Sequence, residues 1–229
     1  MALVKKYRTI VKEIEHPLPD IYIVTLASQD GRYRYKPGQF LHLALDQYDP
    51  SKQWPESRCF SIQTNPREEY IKITYSVKGD YTKRMARELT PAQTVWVKLP
   101  YGDLFSTIDP KAHSIFIAGG TGITPCLSLF TDEEFKAFQS PVLYFGARSE
   151  RYNIYKKEFD KACKINSTFR IVAHYEDAEG FLNIEHIAHQ LAVKDIFYLS
   201  GPPLMIKSFK KYLLDNNVPE SNIKTDDWE

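Results

Sequence analysis

The chain is poor in cysteine: Cys59, Cys126 and Cys163 are the only three in 229 residues, and no two stand as a CxxC pair. That scarcity excludes a four-thiolate iron–sulfur cluster and argues against structural zinc. Long apolar runs are also missing. No segment approaches the ~20 apolar residues that a membrane-crossing helix needs, and Met1 to Tyr7 lacks the apolar stretch of a secretory signal. The expected location is therefore cytoplasmic, and Asn166-Ser167-Thr168 reads as a turn rather than a glycosylation site. Neither sign of charge prevails, since 30 Lys and Arg against 29 Asp and Glu leave a formal net charge of +1. Such a balance gives no whole-molecule attraction for nucleic acid or anionic membrane, so a charged partner must be met by a local patch. The six histidines form no catalytic or metal-binding cluster, and His186 and His189 read as a surface pair on one helix face.

What is present is enough to build a core. Hydrophobic residues make up 43% of the chain and charged ones 26%, the balance of a folded protein rather than a disordered one. The length suits two modest domains. In the first hundred residues, Ile71 to Lys78 alternates apolar and polar residues one by one, the period-two pattern of a half-buried antiparallel strand. Ile21 to Leu26 and Thr94 to Leu99 are further strand candidates, with turns at Asp30-Gly31 and Pro37-Gly38. A short helix is expected over Thr82 to Leu89. Together these suggest a small barrel.

Beyond Asp109-Pro110 the pattern changes. Short continuous apolar runs, Ile115 to Ala118, Val142 to Phe145, Phe169 to Ala173 and Ile196 to Leu199, alternate with helical patterns. A parallel sheet covered on both faces requires this, because both sides of each strand are buried. The second half reads as doubly wound α/β. Thr131, followed three residues on by Glu134, reads as a capping box at a helix start. The expected domains are residues 1–108 and 109–229.

Several segments carry chemistry. Gly119-Gly120-Thr121-Gly122-Ile123-Thr124-Pro125 directly follows an apolar strand. Glycines there let the backbone approach a diphosphate, and the helix that follows would aim its amides at the anion. The spacing departs from GxGxxG, so the strict dinucleotide fingerprint is not met. A second turn, Ser200-Gly201-Pro202-Pro203-Leu204-Met205, ends another strand of the same half. Ligands of doubly wound sheets bind beyond the carboxyl ends of strands, where both turns belong. In the first half, Arg58 can pair with a phosphate, and Gly79 with Thr82 at a helix start can supply amides and a hydroxyl to the same anion. Singly, each also reads as an ordinary ion pair or turn.

Taken in order, Arg58-Cys59-Phe60-Ser61, Gly79 to Thr82, Pro100-Tyr101-Gly102, Gly119 to Pro125 and Gly201 to Met205 resemble the motif series of the ferredoxin–NADP reductase family of flavoproteins. The resemblance covers nearly the whole chain. It implies an N-terminal six-stranded antiparallel FAD-binding barrel followed by a doubly wound NAD(P)-binding domain, and a hydride passed from NAD(P)H to FAD and on to a separate acceptor. It further implies that Arg58 and Cys59 meet FAD, Phe60 packs on the flavin, and Ser61 hydrogen-bonds near flavin N5. Tyr75 and Val77 would line the flavin, and Gly79, Tyr81 and Thr82 the diphosphate and adenosine side. Gly120, Thr121, Gly122, Thr124 and Pro125 would receive the dinucleotide, with Gly201, Pro202 and Met205 closing its pocket.

Three departures from the family pattern stand out. Phe60 replaces the usual tyrosine, Ser200 the cysteine many members have beside the nicotinamide, and the chain ends in Asp226-Asp227-Trp228-Glu229. Ser61, Ser200 and Trp228 are the residues expected at the reacting rings, Trp228 either stacked on the flavin or packed as an ordinary interface residue. Arg148, Ser149 and Arg151 lean toward the 2′-phosphate of NADP; Glu150 among them leaves NAD open, and all four also read as solvated loop charges. The expected acceptor is a small electron-carrier protein or an oxygenase component, toward which Lys83, Arg84 and Arg87 form either a steering patch or a solvated helix face. Free flavin, ferric chelate or quinone reduction, and a non-catalytic flavin-binding subunit, are the alternatives. No metal is expected.

Overall fold

The alternating first segment becomes six antiparallel strands: β1 (Lys5–Leu18), β2 (Ile21–Ser28), β3 (Phe40–Ala44), β4 (Ser57–Ser61), β5 (Ile71–Ser76) and β6 (Thr94–Tyr101). The computed structural model describes residues 3–226. The six strands form one sheet in the order β4-β3-β6-β1-β2-β5. It curls until its two ends meet, where the Gln63 amide just past β4 donates to the Lys72 carbonyl of β5 at 2.9 Å. The inward positions (Leu41, Leu43, Ile71, Ile73, Val95 and Val97) are fully buried. β5 departs from the expected half-burial. Thr74, on its polar face, is buried too, and its hydroxyl donates to Gln63. The helix α1 (Asp80–Glu88) starts two residues before the expected point and buries Tyr81 and Met85.

The second segment is a five-stranded parallel sheet in the order β11-β10-β7-β8-β9, from β7 (Ser114–Gly119), β8 (Val142–Ala147), β9 (Arg170–Tyr175), β10 (Ile196–Ser200) and β11 (Ile223–Thr225). Alternate residues of each strand face opposite helical layers. Phe116, Leu143 and Phe145 pack with Leu127 and Phe130 of α2 (Thr124–Phe130) and Phe159 of α3 (Lys156–Ile165). Ile117, Tyr144 and Leu199 pack instead with Ile184 of α5 (Ile184–Ile187) and Phe209 of α6 (Pro203–Asp215). Both faces are thus covered, which is why every residue of β7 is buried. The short α4 (Glu176–Glu179) follows β9. Two compact units result, Met1–Asp103 and Leu104–Glu229, and Leu104 and Phe105 are buried in the second unit's core.

Two local readings are corrected. Thr131 does not cap a helix start: its hydroxyl donates back to the Leu127 carbonyl at the end of α2, and Asp132 caps a 3₁₀ turn by accepting from the Glu134 amide. His186 and His189 do not share one helix, because α5 ends at Ile187 and a 3₁₀ turn begins at Ala188. Asn166 does make a turn; its side-chain oxygen accepts from the Thr168 amide, and its amide group donates to the carbonyls of Phe135 and Phe138. No helix among the described residues is long and apolar enough to cross a membrane.

Candidate functional site

In the first unit, β4 starts beside the start of α1. Arg58 lies with its guanidinium 5.0 Å from the centre of the Tyr81 ring, and Tyr81 is held by its hydroxyl, which donates to the Leu43 carbonyl at 2.7 Å. Burial pushes that phenol up to about 12, so it stays a donor at any working pH. The fold therefore brings Arg58 to the first turn of a nine-residue helix, where backbone amides lack intrahelical partners. Thr82 turns its hydroxyl back to accept from the amides of Lys78 and Gly79, so it shapes the turn rather than reaching outward.

Gly79 is the informative residue. Its φ of −116° suits any side chain, and a Cβ built on it would meet no atom within 4 Å. Neither a left-handed backbone nor a close neighbour requires a glycine here; its place as the N-cap of α1 favours one, and so would a group approaching the helix start. An anionic diphosphate fits that open, positively polarised turn beside Arg58. The Arg58 guanidinium is half-exposed, with Glu56 its one acidic partner among the described residues at 3.0 Å, so it remains reachable.

Phe60 and Tyr75 are brought together with ring centres 5.9 Å apart, and Tyr75 stacks on Tyr22 at 5.3 Å. Burial raises the Tyr75 hydroxyl above its ordinary range. Ser61 is buried beside Phe60 on β4, and Val77 is half-buried just past β5. Cys59 lies on the opposite side of β4 from Arg58 and Phe60, its sulfur 3.5 Å from His42 Nε2. Burial, with Lys98 close by, lowers the pKa of His42. Pro100 and Tyr101 end β6, and Gly102 takes the left-handed backbone conformation.

In the second unit the two glycine turns touch. Ser200 pairs with Ala118 across β10 and β7, and a Cβ on Gly122 would lie 2.4 Å from Gly201 Cα. β7 is followed by β8 and β9 on one side and flanked by β10 and β11 on the other, so the turns meet at the sheet's topological switch point. The phosphate-facing helix differs from expectation: Gly120–Ile123 winds as a 3₁₀ turn, and α2 begins only at Thr124, with Pro125 lacking an amide hydrogen. Thr121 and Gly120 lie in that turn, and Pro202 and Met205 close on Gly119. Ser200 is buried, its hydroxyl donating to Asp226 at 3.1 Å. Trp228 lies outside the described residues.

At the end of β8, Arg148 rests 5.5 Å over the Tyr152 ring, and Glu150 accepts from Lys156 at 2.7 Å. Ser149 is half-buried and Arg151 exposed. The Asp177 amide donates to the Arg148 carbonyl at 3.1 Å, which sets the acidic α4, with Glu176, Asp177 and Glu179, against this loop. Sequence reasoning missed that acidic neighbour and the Ser200–Asp226 bond, because both arise between segments far apart in the chain. On α1 the expected basic patch is neutralised: Lys83 pairs with Asp80, Arg84 with Asp46 and Glu88, and Arg87 with Glu88.

Residues 116–211 match the oxidoreductase NAD-binding domain family. The chain is 30% identical over 156 residues to one component of the Na(+)-translocating NADH-quinone reductase of Neisseria meningitidis, a match covering 61% of this chain and 38% of that protein. The chain therefore spans well under half the length of such relatives. Its fold superposes on a ferredoxin NADP+ reductase from Neisseria gonorrhoeae, solved with FAD and NADP, with a TM-score of 0.78 at 18% identity, covering 99% of each chain. It also superposes on the Amycolatopsis cytochrome P450 reductase GcoB, with a TM-score of 0.82 at 18% identity, covering 97% of this chain and 69% of that one. A six-stranded antiparallel unit followed by a parallel-sheet unit, whose residues 116–211 match an oxidoreductase NAD-binding domain, gives the chain the fold of that ferredoxin NADP+ reductase.

Proposed function

We propose that this chain is an NADH-oxidising flavoprotein reductase that holds FAD on its first unit and delivers electrons to a separate protein acceptor. The observation that carries the reading is the open turn at Gly79 beside Arg58, in a chain whose second unit matches an oxidoreductase NAD-binding domain over residues 116–211. FAD, when bound, supplies the hydride-accepting and electron-releasing chemistry. The protein's part is to hold, orient and exclude water. Arg58, with the amides opening α1, binds the diphosphate; Phe60 and Tyr75 supply an apolar aromatic wall for the flavin, with Val77 beside them, and Ser61 a hydroxyl for its polar edge. Gly120, Thr121, Gly122, Thr124 and Pro125, with Gly201, Pro202 and Met205, receive the nicotinamide dinucleotide at the switch point. Ser200, oriented by Asp226, is the polar group of that pocket in place of a thiol.

NADH is proposed over NADPH, toward which Arg148, Ser149 and Arg151 lean in sequence. The carboxylates of α4 border that loop, where they repel a 2′-phosphate and can accept from a ribose 2′-hydroxyl. The relatives named for NADH oxidation support the same choice. Because those relatives are also named for quinone reduction, a small quinone is the second candidate acceptor.

The test is anaerobic titration of the FAD-loaded protein with each nucleotide, followed by visible absorbance. Bleaching by NADH at lower concentration than NADPH is expected. Protein that takes up no flavin sinks the function, and preferential bleaching by NADPH sinks the donor assignment alone. Turnover with a quinone but with no carrier protein would reassign the acceptor.

A further inference from the structure

The first unit carries its charge unevenly. With 16 Lys and Arg against 12 Asp and Glu, residues 1–103 have a formal charge of +4, and with 14 against 17, residues 104–229 have −3. Several cations of the first unit are answered locally, among them Lys52 by Asp49, Arg58 by Glu56, Lys72 by Glu15 and the three basic residues of α1. Those on the outer side of β1 and β6 are not. Lys6 and Lys98 stand directly opposite one another, and His42 stands directly across from Lys98 on the next strand.

Like charges in directly opposed positions are destabilising, and among the described residues no acidic side chain relieves them here. Lys6 donates to the Tyr48 hydroxyl at 2.6 Å, and Lys98 lies 5.2 Å from the Trp54 ring centre and 5.7 Å from that of Tyr101. Arg8 is opposite Trp96. Among the described residues, no acidic side chain pairs with Lys6, Arg8 or Lys98; Asp30, the acid beside β1, spends its carboxylate on the Arg8 backbone amide. The desolvation of His42 and the field of Lys98 keep the imidazole from adding its own charge to the row.

We infer that the outer face of β1 and β6, with Lys6, Arg8 and Lys98 set among Trp54, Trp96 and Tyr101, is a docking surface for an acidic protein. Charge complementarity selects the partner, because the row lacks counter-charges of its own. Aromatic rings holding the ammonium groups pre-order them and supply apolar contact at the centre, the composition of a protein-recognition patch. That the acidic partner accepts electrons rests on the proposed function; the surface itself does not.

The experiment measures binding of the full chain to poly-L-glutamate at low salt by calorimetry, without turnover. Neutralising the face (Lys6→Gln, Arg8→Gln, Lys98→Gln) is expected to weaken binding by about tenfold or more, and the difference should vanish near 1 M salt, where screening reaches about 3 Å. Neutralising three acid-paired cations instead, Lys52, Lys83 and Arg87, should change it by less than about threefold. Lys98→Gln alone should leave the thermal midpoint equal or higher, since it removes an opposed like charge; a clear drop would make the row structural and overturn the proposal. Equal weakening by the two triple variants would also overturn it. So would tighter face-dependent binding to phosphatidylserine vesicles, which reassigns the surface to a membrane, or low-salt dimerisation abolished by the face variant, which reassigns it to a second copy. Protein that shows the expected binding yet takes up no flavin would refute the proposed function and leave the surface standing.

Discussion

At the residue scale, Gly79 decides most. A glycine is ordinarily explained by a left-handed backbone or by a neighbour too close for a Cβ, and Gly79 has neither. Gly79→Leu is therefore expected to fold. Losing a good N-cap residue costs about 1 kcal/mol, a few degrees in thermal midpoint for a domain of this size. FAD affinity, measured by fluorescence quenching on reconstitution, should fall at least about tenfold, because the isobutyl group fills the approach to the α1 amides. Unchanged FAD affinity in a folded Gly79→Leu protein would remove the main support for the diphosphate assignment. The motif containing Gly79 was legible in the sequence. Its openness was not, since a turn glycine and a ligand-facing glycine look alike until the neighbouring atoms are placed.

Among elements, the contact of the two glycine turns defines the second unit's switch point. Gly122→Ala would put a methyl carbon 2.4 Å from Gly201 Cα and 2.6 Å from its nitrogen, and backbone cannot step aside as a flexible side chain can. Such overpacking costs about 1–3 kcal/mol, so a drop in denaturant midpoint of that size is expected. Gly79→Ala, which meets no neighbour, should cost less. A Gly122→Ala protein as stable as the parent would mean that the turns do not touch. The strand–turn pattern after Ile115 to Ala118 was evident from composition alone. The intervening 3₁₀ turn was not, because a Gly-Thr-Gly stretch carries no periodicity that distinguishes 3₁₀ from α winding.

At the scale of the whole molecule, two units of opposite charge follow one another along the chain, each with its own core. A fragment of residues 1–103 should therefore fold alone and bind FAD, yet remain oxidised when NADH is added anaerobically. Far-UV circular dichroism and flavin absorbance check this together. A fragment that stays unfolded would show that the barrel depends on the second unit. Leu104 and Phe105 are left out of it because they are buried among second-unit residues.

The sequence by itself determined the two kinds of sheet, since alternation marks strands with one apolar face and continuous apolar runs mark strands apolar on both, although the polar face of β5 is buried at Thr74 as well. It also marked the five motifs, because turns and phosphate contacts are written in adjacent residues. Only the tertiary structure decided which charges are answered. Arg84 and Arg87 of α1 find Asp46 and Glu88, while Lys6 and Lys98, ninety-two positions apart, are set face to face without an acid among the described residues. Electrostatic pairing acts through space and strand register, and no local pattern in a chain encodes which strand will lie beside which.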